Sequence, residues 1–317
     1  MAKRILASDW GWRCVLQAQS HDWATNPVTR FRSGNHSLEV RVGGAWRCDH
    51  RLAPETVDLL NLFLPISACA GPLVIAQIGQ SLDGRIATEN GASHYINGLE
   101  ARTHLHRLRA VVDAVVVGVG TVNDDDPLLT VRHVEGRNPL RVVLDPRGRM
   151  GGERQLAHDG AAPTIQLVRG ACPAEAGASL AVSPEAEPHS MRNGAREGVA
   201  QGVEAKSGMR QVAFPVTAQG GFEPLAVLDW LHAQGLRRVL IEGGGVTVSR
   251  FMQAEALDRM HVMVAPLLIG SGRPGLQLPP VQRLEDARRP SCRTFRCGQD
   301  TIFDLDLRRA AHVDQAV

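Results

Sequence analysis

Four short, mostly apolar runs separated by longer segments constrain the fold of this 317-residue chain more than any other feature. They lie at residues 114–119, 140–144, 164–168 and 239–241. Runs without apolar–polar alternation are typical of strands that are covered on both faces, as in parallel sheets. A helix predicted over residues 224–234 ends at Gly235, a residue type suited to the position after a helix. The pattern therefore predicts a largely parallel α/β sheet with helices packed against it.

Other elements extend this prediction. A strand is expected at residues 73–77, and two later strands at 260–265 and 301–307 are expected to pair antiparallel at one side of the sheet. Asn97 followed by Glu100 resembles a capping box, and apolar residues at helical spacing follow it. On this helix His104 and His106 are expected to be surface residues.

The first 70 residues differ from the rest, because they hold four of the five tryptophans. Residues 38–48 predict a β-hairpin that turns at Gly43 and Gly44, and a helix is expected from Pro54 to Pro65. The tryptophans are expected to form a core or a docking surface. We therefore divide the chain into a small α+β domain of unknown role (1–70), a main domain (71–310) and a tail (311–317). Residues 170–221, poor in large apolar side chains, are expected to be a long loop or insertion.

Composition excludes several functions. A net charge of +2 gives no reason to expect nucleic acid as a partner, and no apolar run is long enough to span a membrane. The N-terminus has no apolar core of a signal peptide, so we expect the protein in the cytoplasm. The six cysteines form no C-x-x-C pair, and reduced thiols are expected in that compartment.

The segment RVLIEGGGVTVSR, residues 238–250, has the strongest indication of a binding site. A strand ends at Glu242, three glycines follow, and a helix can begin after them. Ligands of parallel sheets lie beyond the carboxyl ends of strands, and glycines there let a phosphate approach the backbone. A carboxylate at the same place can hold a polar ligand by hydrogen bonds. The turn is therefore a candidate phosphate site, although a plain tight turn has the same composition.

A second segment, GVGTVNDDDPLLTVR, covers residues 118–132. Its three aspartates are not spaced as the ligands of a hard cation, so no metal site is expected. Arg109 and Arg132 are candidates to hold a phosphate or carboxylate. The chain has no nucleophile elbow, Walker lysine, zinc-protease or zinc-deaminase motif. The first strand-turn has no dinucleotide-binding G-x-G-x-x-G, because Gly118-Val119-Gly120 continues as Thr-Val-Asn. Arginines, carboxylates and glycine turns without a nucleophile suit a reaction whose difficult step a cofactor carries out.

Together these motifs resemble the RibD C-terminal domain, the reductase domain of bifunctional riboflavin-biosynthesis proteins. The resemblance covers about residues 72–308 and rests on the following ordered segments: 81–85 (SLDGR), 108–110 (LRA) with 113–114 (DA), 118–122 (GVGTV), 125–132 (DDPLLTVR), 138–145 (NPLRVVLD), 242–244 (EGG) and 265–270 (APLLIG). It implies a dihydrofolate-reductase-like three-layer α/β/α fold with a mostly parallel central sheet. It also implies a homodimer and NADPH-dependent reduction of 5-amino-6-(5-phosphoribosylamino)uracil to its ribityl product.

The resemblance also implies roles for individual residues. The substrate would be bound by Ser93, Arg109, Leu129, Arg132 and Glu242, with the arginines at its phosphate. The NADPH site would be lined by Gln80, Tyr95, Thr121, Asp125, Gly244, Gly245, Val246, Thr247, Val248, Ser249 and Arg250. Hydride would pass from the nicotinamide to C1′ of the ring-opened ribosyl imine. Asp126, Glu242 or water would supply the proton.

The chain departs from this family in three ways. The N-terminal tryptophan-rich segment replaces the deaminase domain, so only the reductase activity is expected. Tyr95 stands where bacterial bifunctional members usually have Trp, and Gln77 stands where many have Lys. Two alternatives therefore stay open: an NADPH-dependent reductase of another pterin or pyrimidine, and a non-catalytic nucleotide-binding protein.

Overall fold

The computed structural model describes residues 2–33, 36–93, 96–171 and 209–308. Its helices are α1 (Ala2–Gln19), α2 (Pro54–Ser67), α3 (Leu99–Val111), α4 (Val119–Asp125), α5 (Pro224–Ala233) and α6 (Gly245–Gln253). The strands of the first part are β1 (Val28–Ser33), β2 (His36–Arg41) and β3 (Trp46–Cys48). Those that follow are β4 (Leu73–Ser81), β5 (Arg85–Thr88), β6 (Ala114–Gly118), β7 (Leu140–Leu144), β8 (Thr164–Arg169), β9 (Met209–Phe214), β10 (Arg238–Glu242), β11 (Arg259–Ala265), β12 (Gly272–Pro274), β13 (Ser291–Cys297) and β14 (Asp300–Asp306).

The centre of the fold is a nine-stranded sheet with the order β13-β14-β11-β4-β10-β6-β7-β8-β9. The strands from β11 to β9 in this order run parallel to their neighbours. The remaining two, β14 and β13, pair antiparallel along one edge. The mostly parallel sheet predicted from the apolar runs is confirmed, as is the antiparallel pairing of β11 with β14.

Helices cover both faces of this sheet. Leu73 and Ile75 of β4 point to one face, where they join a buried cluster with residues of α1, α2 and α3. Val74 and Ala76 point to the other face, and their cluster includes residues of α5 and α6. Because side chains alternate along a strand, one strand supplies both layers of core. The predicted three-layer α/β/α arrangement is confirmed.

The first 70 residues form α1, a three-stranded antiparallel sheet and α2. The predicted hairpin is confirmed, since Val40 pairs with Trp46 and both turn glycines have positive φ. Trp12 and Trp23 are buried and belong to the hydrophobic cluster that also holds Ile75 of the central sheet. At least these two tryptophans are therefore core residues, and the N-terminal part shares its core with one face of the main sheet.

Helix α2 continues two residues past Pro65, the expected end. Proline has no N–H to donate to the carbonyl of Asn61, four residues earlier. That carbonyl instead accepts a hydrogen bond from Arg293 Nη2 at 2.9 Å. A partner from β13 therefore lets the proline lie inside the last turn.

The predicted capping box at the start of α3 is wrong. Gly98 is the N-cap residue, without a side-chain cap. The carboxylate of Asp300 instead accepts the N–H of Gly98 at 2.9 Å and lies 3.4 Å from Asn97 Nδ2. A distant strand thus fixes this helix start.

Two more expectations are corrected. Residues 209–214, expected within the long loop 170–221, form edge strand β9, which pairs in parallel with β8; residues 172–208 of that segment lie outside the described residues. His104 and His106, expected on the surface, are buried, with 2% and 4% exposure. His104 lies against Phe63 of α2 and shares a 2.9 Å hydrogen bond with His261 of β11.

Candidate active site

The glycine turn after β10 has the strand–turn–helix geometry expected from sequence. Glu242 ends the strand, Gly244 is the N-cap residue and α6 begins at Gly245. The backbone N–H of Gly244 donates to Thr121 Oγ1 at 2.9 Å. Gly243 has a φ of 120°, and a Cβ there would lie 2.8 Å from the same hydroxyl oxygen. Only glycine allows this close approach between the turn and α4.

Glu242 is held by Arg109 in a two-point ion pair. Arg109 Nε donates to Oε2 at 2.9 Å, and Nη2 donates to Oε1. Nη1 donates to the carbonyl oxygen of Thr130 at 3.1 Å. Both charged side chains are buried, which strengthens their attraction and fixes the planar groups relative to each other. The pair joins α3 to the end of β10.

A first cavity of about 460 Å³ lies beyond β6, β7 and β10, beside the start of α6. Its walls include Gly120, Gly244, Thr247 and Arg250. A Cβ added to Gly120 would meet no atom within 4 Å, so this glycine leaves open space. The N–H groups of Gly245 and Val246, in the first turn of α6, have no hydrogen-bond partner among the described residues. Such groups attract anions.

A second cavity of about 450 Å³ lies between β4, the end of β10 and α3. Glu242 and Arg109 line it together with Gln77, and Ser93 donates a 3.0 Å hydrogen bond to Asp125 at its edge. The two cavities adjoin, since they share the following lining residues: Ile86, Thr121, Asp124, Gly244 and Arg273. Two ligands could therefore meet at the glycine turn.

The side of α3 that carries Arg109 is electropositive. The pKa of His106 is lowered to about 3, first by burial and then by nearby positive groups, of which Arg109 is the strongest. Arg132 is another of these groups; it is exposed, and its backbone N–H donates to His106 Nδ1 at 3.1 Å. Since His106 is neutral at neutral pH, the positive charge here comes from the arginines.

Many residues expected from sequence line these cavities. Those in the first cavity or in both are Thr121, Gly244, Gly245, Val246, Thr247 and Arg250. Those in the second are Ser93, Arg109, Thr121, Asp125, Glu242 and Gly244. Residues from distant parts of the chain are thus brought together at the carboxyl ends of the strands.

Other expected residues lie elsewhere. Leu129 is buried in the core with a φ of 53°, and Val248 and Ser249 are buried inside α6. The carboxylate of Asp126 accepts hydrogen bonds from the backbone and side chain of Gln155. These four residues line neither cavity, and the same holds for Gln80 and Arg132. Tyr95 lies outside the described residues.

Among the cavity residues that were not assigned to the site from sequence, four polar ones stand out. Arg102 lies on α3, and Asn97 had been interpreted as part of a helix cap. Arg273 of β12 donates to Asp124 at 2.9 Å across the junction of the two cavities. The fourth is Gln77, a polar residue at the end of an apolar strand segment. Such a polar residue inside a buried run was the one signal available in the sequence.

Within the described parts of the chain, no group of three or more His, Cys, Asp or Glu residues could hold a metal ion. None of the helices described here combines the length and apolar character that crossing a membrane requires.

Solved structures with the same fold include several reductases. The bifunctional deaminase and 5-amino-6-(5-phosphoribosylamino)uracil reductase of Thermotoga maritima aligns with a TM-score of 0.55 at 23% identity, covering 80% of this chain and 61% of that one. RibD of Acinetobacter baumannii aligns with a TM-score of 0.56 at 25% identity, covering 79% of this chain and 62% of that one.

Two archaeal relatives are more similar in sequence. The 2,5-diamino-6-ribosylamino-4(3H)-pyrimidinone 5′-phosphate reductase of Methanothermobacter thermautotrophicus is 32% identical, over 75% of this chain and 99% of that protein. The enzyme of the same name from Archaeoglobus fulgidus is 31% identical, over 63% of this chain and 82% of that protein.

Fold, site and relatives together define a reductase of the riboflavin-biosynthesis class. The family model of the RibD C-terminal domain matches residues 72–301, and the chain belongs to this family. The family, the fold and the riboflavin-pathway reductase function expected from sequence are confirmed.

Proposed function

We propose that the protein uses NADPH to reduce a 5-amino-6-(5-phosphoribosylamino)pyrimidine to its ribityl product. The observation that carries this proposal is the meeting of two cavities at Thr121 and Gly244. One cavity has an anion-attracting helix start, and the other has a buried carboxylate and arginines. A dinucleotide and a phosphorylated substrate need such an arrangement to bring their reacting atoms together.

The first cavity fits NADPH by its shape and its polar groups. The open space at Gly120 and the free N–H groups of Gly245 and Val246 suit a pyrophosphate. Arg149 and Arg250 also line this cavity and can pair with further phosphate charge. When bound, NADPH supplies the hydride for the reduction.

In the second cavity, C1′ of the ring-opened ribosyl imine takes the hydride and the imine nitrogen takes a proton, so that C=N becomes a C–N single bond. Glu242 is the buried carboxylate at the junction end of this cavity. A carboxylate there stabilises the positive charge of the protonated imine. We assign proton delivery to water, because the carboxylate of Asp126 is bound to Gln155 and lines neither cavity.

Two forms of the substrate ring are compatible with this proposal. The sequence resemblance implied the uracil form, whereas the two archaeal relatives carry the name of the 2,5-diaminopyrimidinone form. The two rings differ at position 2 and share the remaining polar atoms. We also propose that the protein acts as a homodimer in the cytoplasm, which the size of the native particle and fractionation of cells can test.

The test is NADPH oxidation by purified protein with each form of the substrate, with NADH as a parallel reductant and a dihydropterin as a parallel substrate. We expect oxidation of NADPH with a phosphoribosylaminopyrimidine and a ribityl product by mass spectrometry. If NADPH binds but neither pyrimidine is reduced, the proposed reaction is wrong. Reduction of the dihydropterin alone would favour the alternative reductase function.

A further inference from the structure

The second cavity contains a buried polar side chain without a partner. Gln77 lies on β4, is only 8% exposed and lines this cavity. Its carboxamide has no hydrogen bond to any described residue. In the sheet register it stands beside Glu242 of β10, on the face of the sheet that α3 covers. Neither polar atom of this amide is among the enclosed atoms without a partner, so the amide is open to the cavity and can pair with a ligand there.

A second carboxamide lies close to Gln77. Asn97 also lines the cavity, and its Oδ1 lies over Gly79, where an added Cβ would come within 2.1 Å. Gly79 is two residues after Gln77 and therefore faces the same side of the sheet. The Nδ2 group of Asn97 points to the buried Asp300, at 3.4 Å. Oδ1 of Asn97 thus packs against Gly79 and accepts no hydrogen bond from a described residue, so it is available as an acceptor.

We name Gln77, Gly79 and Asn97 the carboxamide wall. This wall is neutral, whereas Arg102 and Arg109 line the α3 side of the same cavity. A phosphate dianion binds best to arginines, so a substrate with a phosphate at one end places its uncharged ring at a neutral wall. Resting on the proposed function, we propose that the carboxamide wall is the subsite for the pyrimidine ring.

The chemistry of the ring matches this wall. The lactam edge of the pyrimidine presents one N–H donor next to one C=O acceptor. A glutamine carboxamide presents the complementary acceptor and donor side by side, so Gln77 can form two parallel hydrogen bonds with the lactam. Oδ1 of Asn97 can accept a hydrogen bond from an amino group of the ring. Since both substrate forms share the lactam and the 5-amino group, the wall accepts both.

The test compares Gln77→Met with Gln211→Met by calorimetric titration of the ribitylaminopyrimidine phosphate product, of ribitol 5-phosphate and of NADPH. Methionine keeps the volume of glutamine but cannot form the paired hydrogen bonds. Gln211 lies on the far edge strand β9, where it donates to Gln166, so its variant is the matched control. We expect Gln77→Met to weaken binding of the product about 10- to 100-fold. Binding of ribitol phosphate and NADPH should stay at the level of the control.

Unchanged affinity of Gln77→Met for the product would overturn the subsite. Equal losses for the product and for ribitol phosphate would also overturn it, because Gln77 would then hold the sugar phosphate. Thermal unfolding adds a second measurement: the variant should be at least as stable as the wild type, since no protein partner is lost. A clearly less stable variant would show a structural role instead. Failure of the wild type to bind the product at all would reject the proposed function as well.

Gly79→Ala tests the other half of the wall. The added methyl group would collide with Oδ1 of Asn97 and displace it from its place above residue 79. The expected result is a higher KM for the pyrimidine with little change in KM for NADPH. A change confined to the KM for NADPH would contradict the assignment of this wall to the substrate ring.

Discussion

Arg109 and Glu242 form a two-point ion pair on the wall of the second cavity: Nε of Arg109 donates to Oε2 of Glu242 at 2.9 Å, and Nη2 donates to Oε1. The resemblance to the family implied that Arg109 binds the substrate phosphate. In this structure the same guanidinium also orients the carboxylate that faces the substrate. We therefore propose that Arg109 has a positioning role in addition to any contact with phosphate, because a two-point pair fixes the plane of the carboxylate.

Glu242→Gln should lower turnover at least tenfold while the fold is kept. The amide cannot stabilise a protonated imine as a carboxylate does, and its NH2 group faces the donors of Arg109. Leaving Arg109 without its counter-charge should reduce the free energy of unfolding by about 3 kcal/mol. Steady-state kinetics and denaturant unfolding of the purified variant measure the two effects.

The double variant Arg109→Met with Glu242→Gln is the control for that prediction. It removes the buried cation as well, so it should recover stability relative to Glu242→Gln without recovering turnover. A wild-type rate in either variant would remove Glu242 from the mechanism.

Arg132→Ala should raise KM for the phosphorylated substrate about tenfold and leave KM for a dephosphorylated analogue unchanged. Arg132 lines neither cavity, but it is exposed beside His106 on the electropositive side of α3, so the prediction requires the phosphate to extend beyond the second cavity to reach it. Arg137, exposed in the same loop, offers the matched variant Arg137→Ala, which should behave as the wild type. If Arg132→Ala affects both substrates equally, this arginine does not anchor the phosphate.

Gly120→Leu should weaken NADPH binding more than tenfold, because the new side chain enters the space where the cofactor is proposed to lie. Helix α4 should tolerate the change, since leucine is a better helix former than glycine. Gly152→Leu is the control, because residue 152 also has open space around it but lines neither cavity. Fluorescence titration of NADPH compares the two, and equal affinities would place the cofactor elsewhere.

The sequence predicted the parts of the fold that depend on local pattern. The apolar runs of β6, β7, β8 and β10 correspond to strands that the structure covers on both faces. Gly235 was expected after α5, and it has a φ of 81°. In this conformation the backbone N–H groups of Gly235 and Leu236 donate hydrogen bonds to carbonyls of the last turn of α5. These features depend mainly on residues that are close in sequence and only weakly on contacts with distant parts of the chain.

Features that depend on distant contacts were missed. Gly11 lies inside α1, where glycine normally indicates a break, but a Cβ there would be 2.8 Å from Thr56 Cγ2. The glycine is needed for close packing of α1 on α2. His104 was expected on the surface because the covering residue, Phe63, belongs to the N-terminal part. A pattern within one helix carries no information about such a neighbour.

The arginines illustrate the same limit within the site. Arg141 belongs to a motif shared with the family, like Arg109, but it is buried. It is bound to Asp159 and to the backbone carbonyls of Leu156 and Ala162. Its role is to tie a loop to β7. The sequence indicates that both arginines belong to family motifs. Only their contacts in the structure show that Arg141 has a structural role and that Arg109 lines the cavity.

Stability should fall as the pH drops below about 6.5, because three histidines are buried in their neutral form. Burial lowers the pKa of His104 well below its usual 6.5, and burial also lowers the pKa of His261 despite the nearby Asp304. Burial, with the nearby Arg109, lowers the pKa of His106 to about 3. Below pH 6.5 the unfolded chain therefore binds protons that the folded protein does not, which favours unfolding. Each such histidine contributes up to about 1.4 kcal/mol per pH unit between its two pKa values.

His106→Asn isolates one of these contributions. The Oδ1 atom of asparagine can replace Nδ1 as the acceptor for the backbone N–H of residue 132, but it does not titrate. Denaturant unfolding of the wild type and the variant at pH 7.5, 6.5 and 5.5 should therefore give a smaller loss of stability in the variant. Identical slopes for the wild type and His106→Asn would show that His106 is not held neutral by the fold.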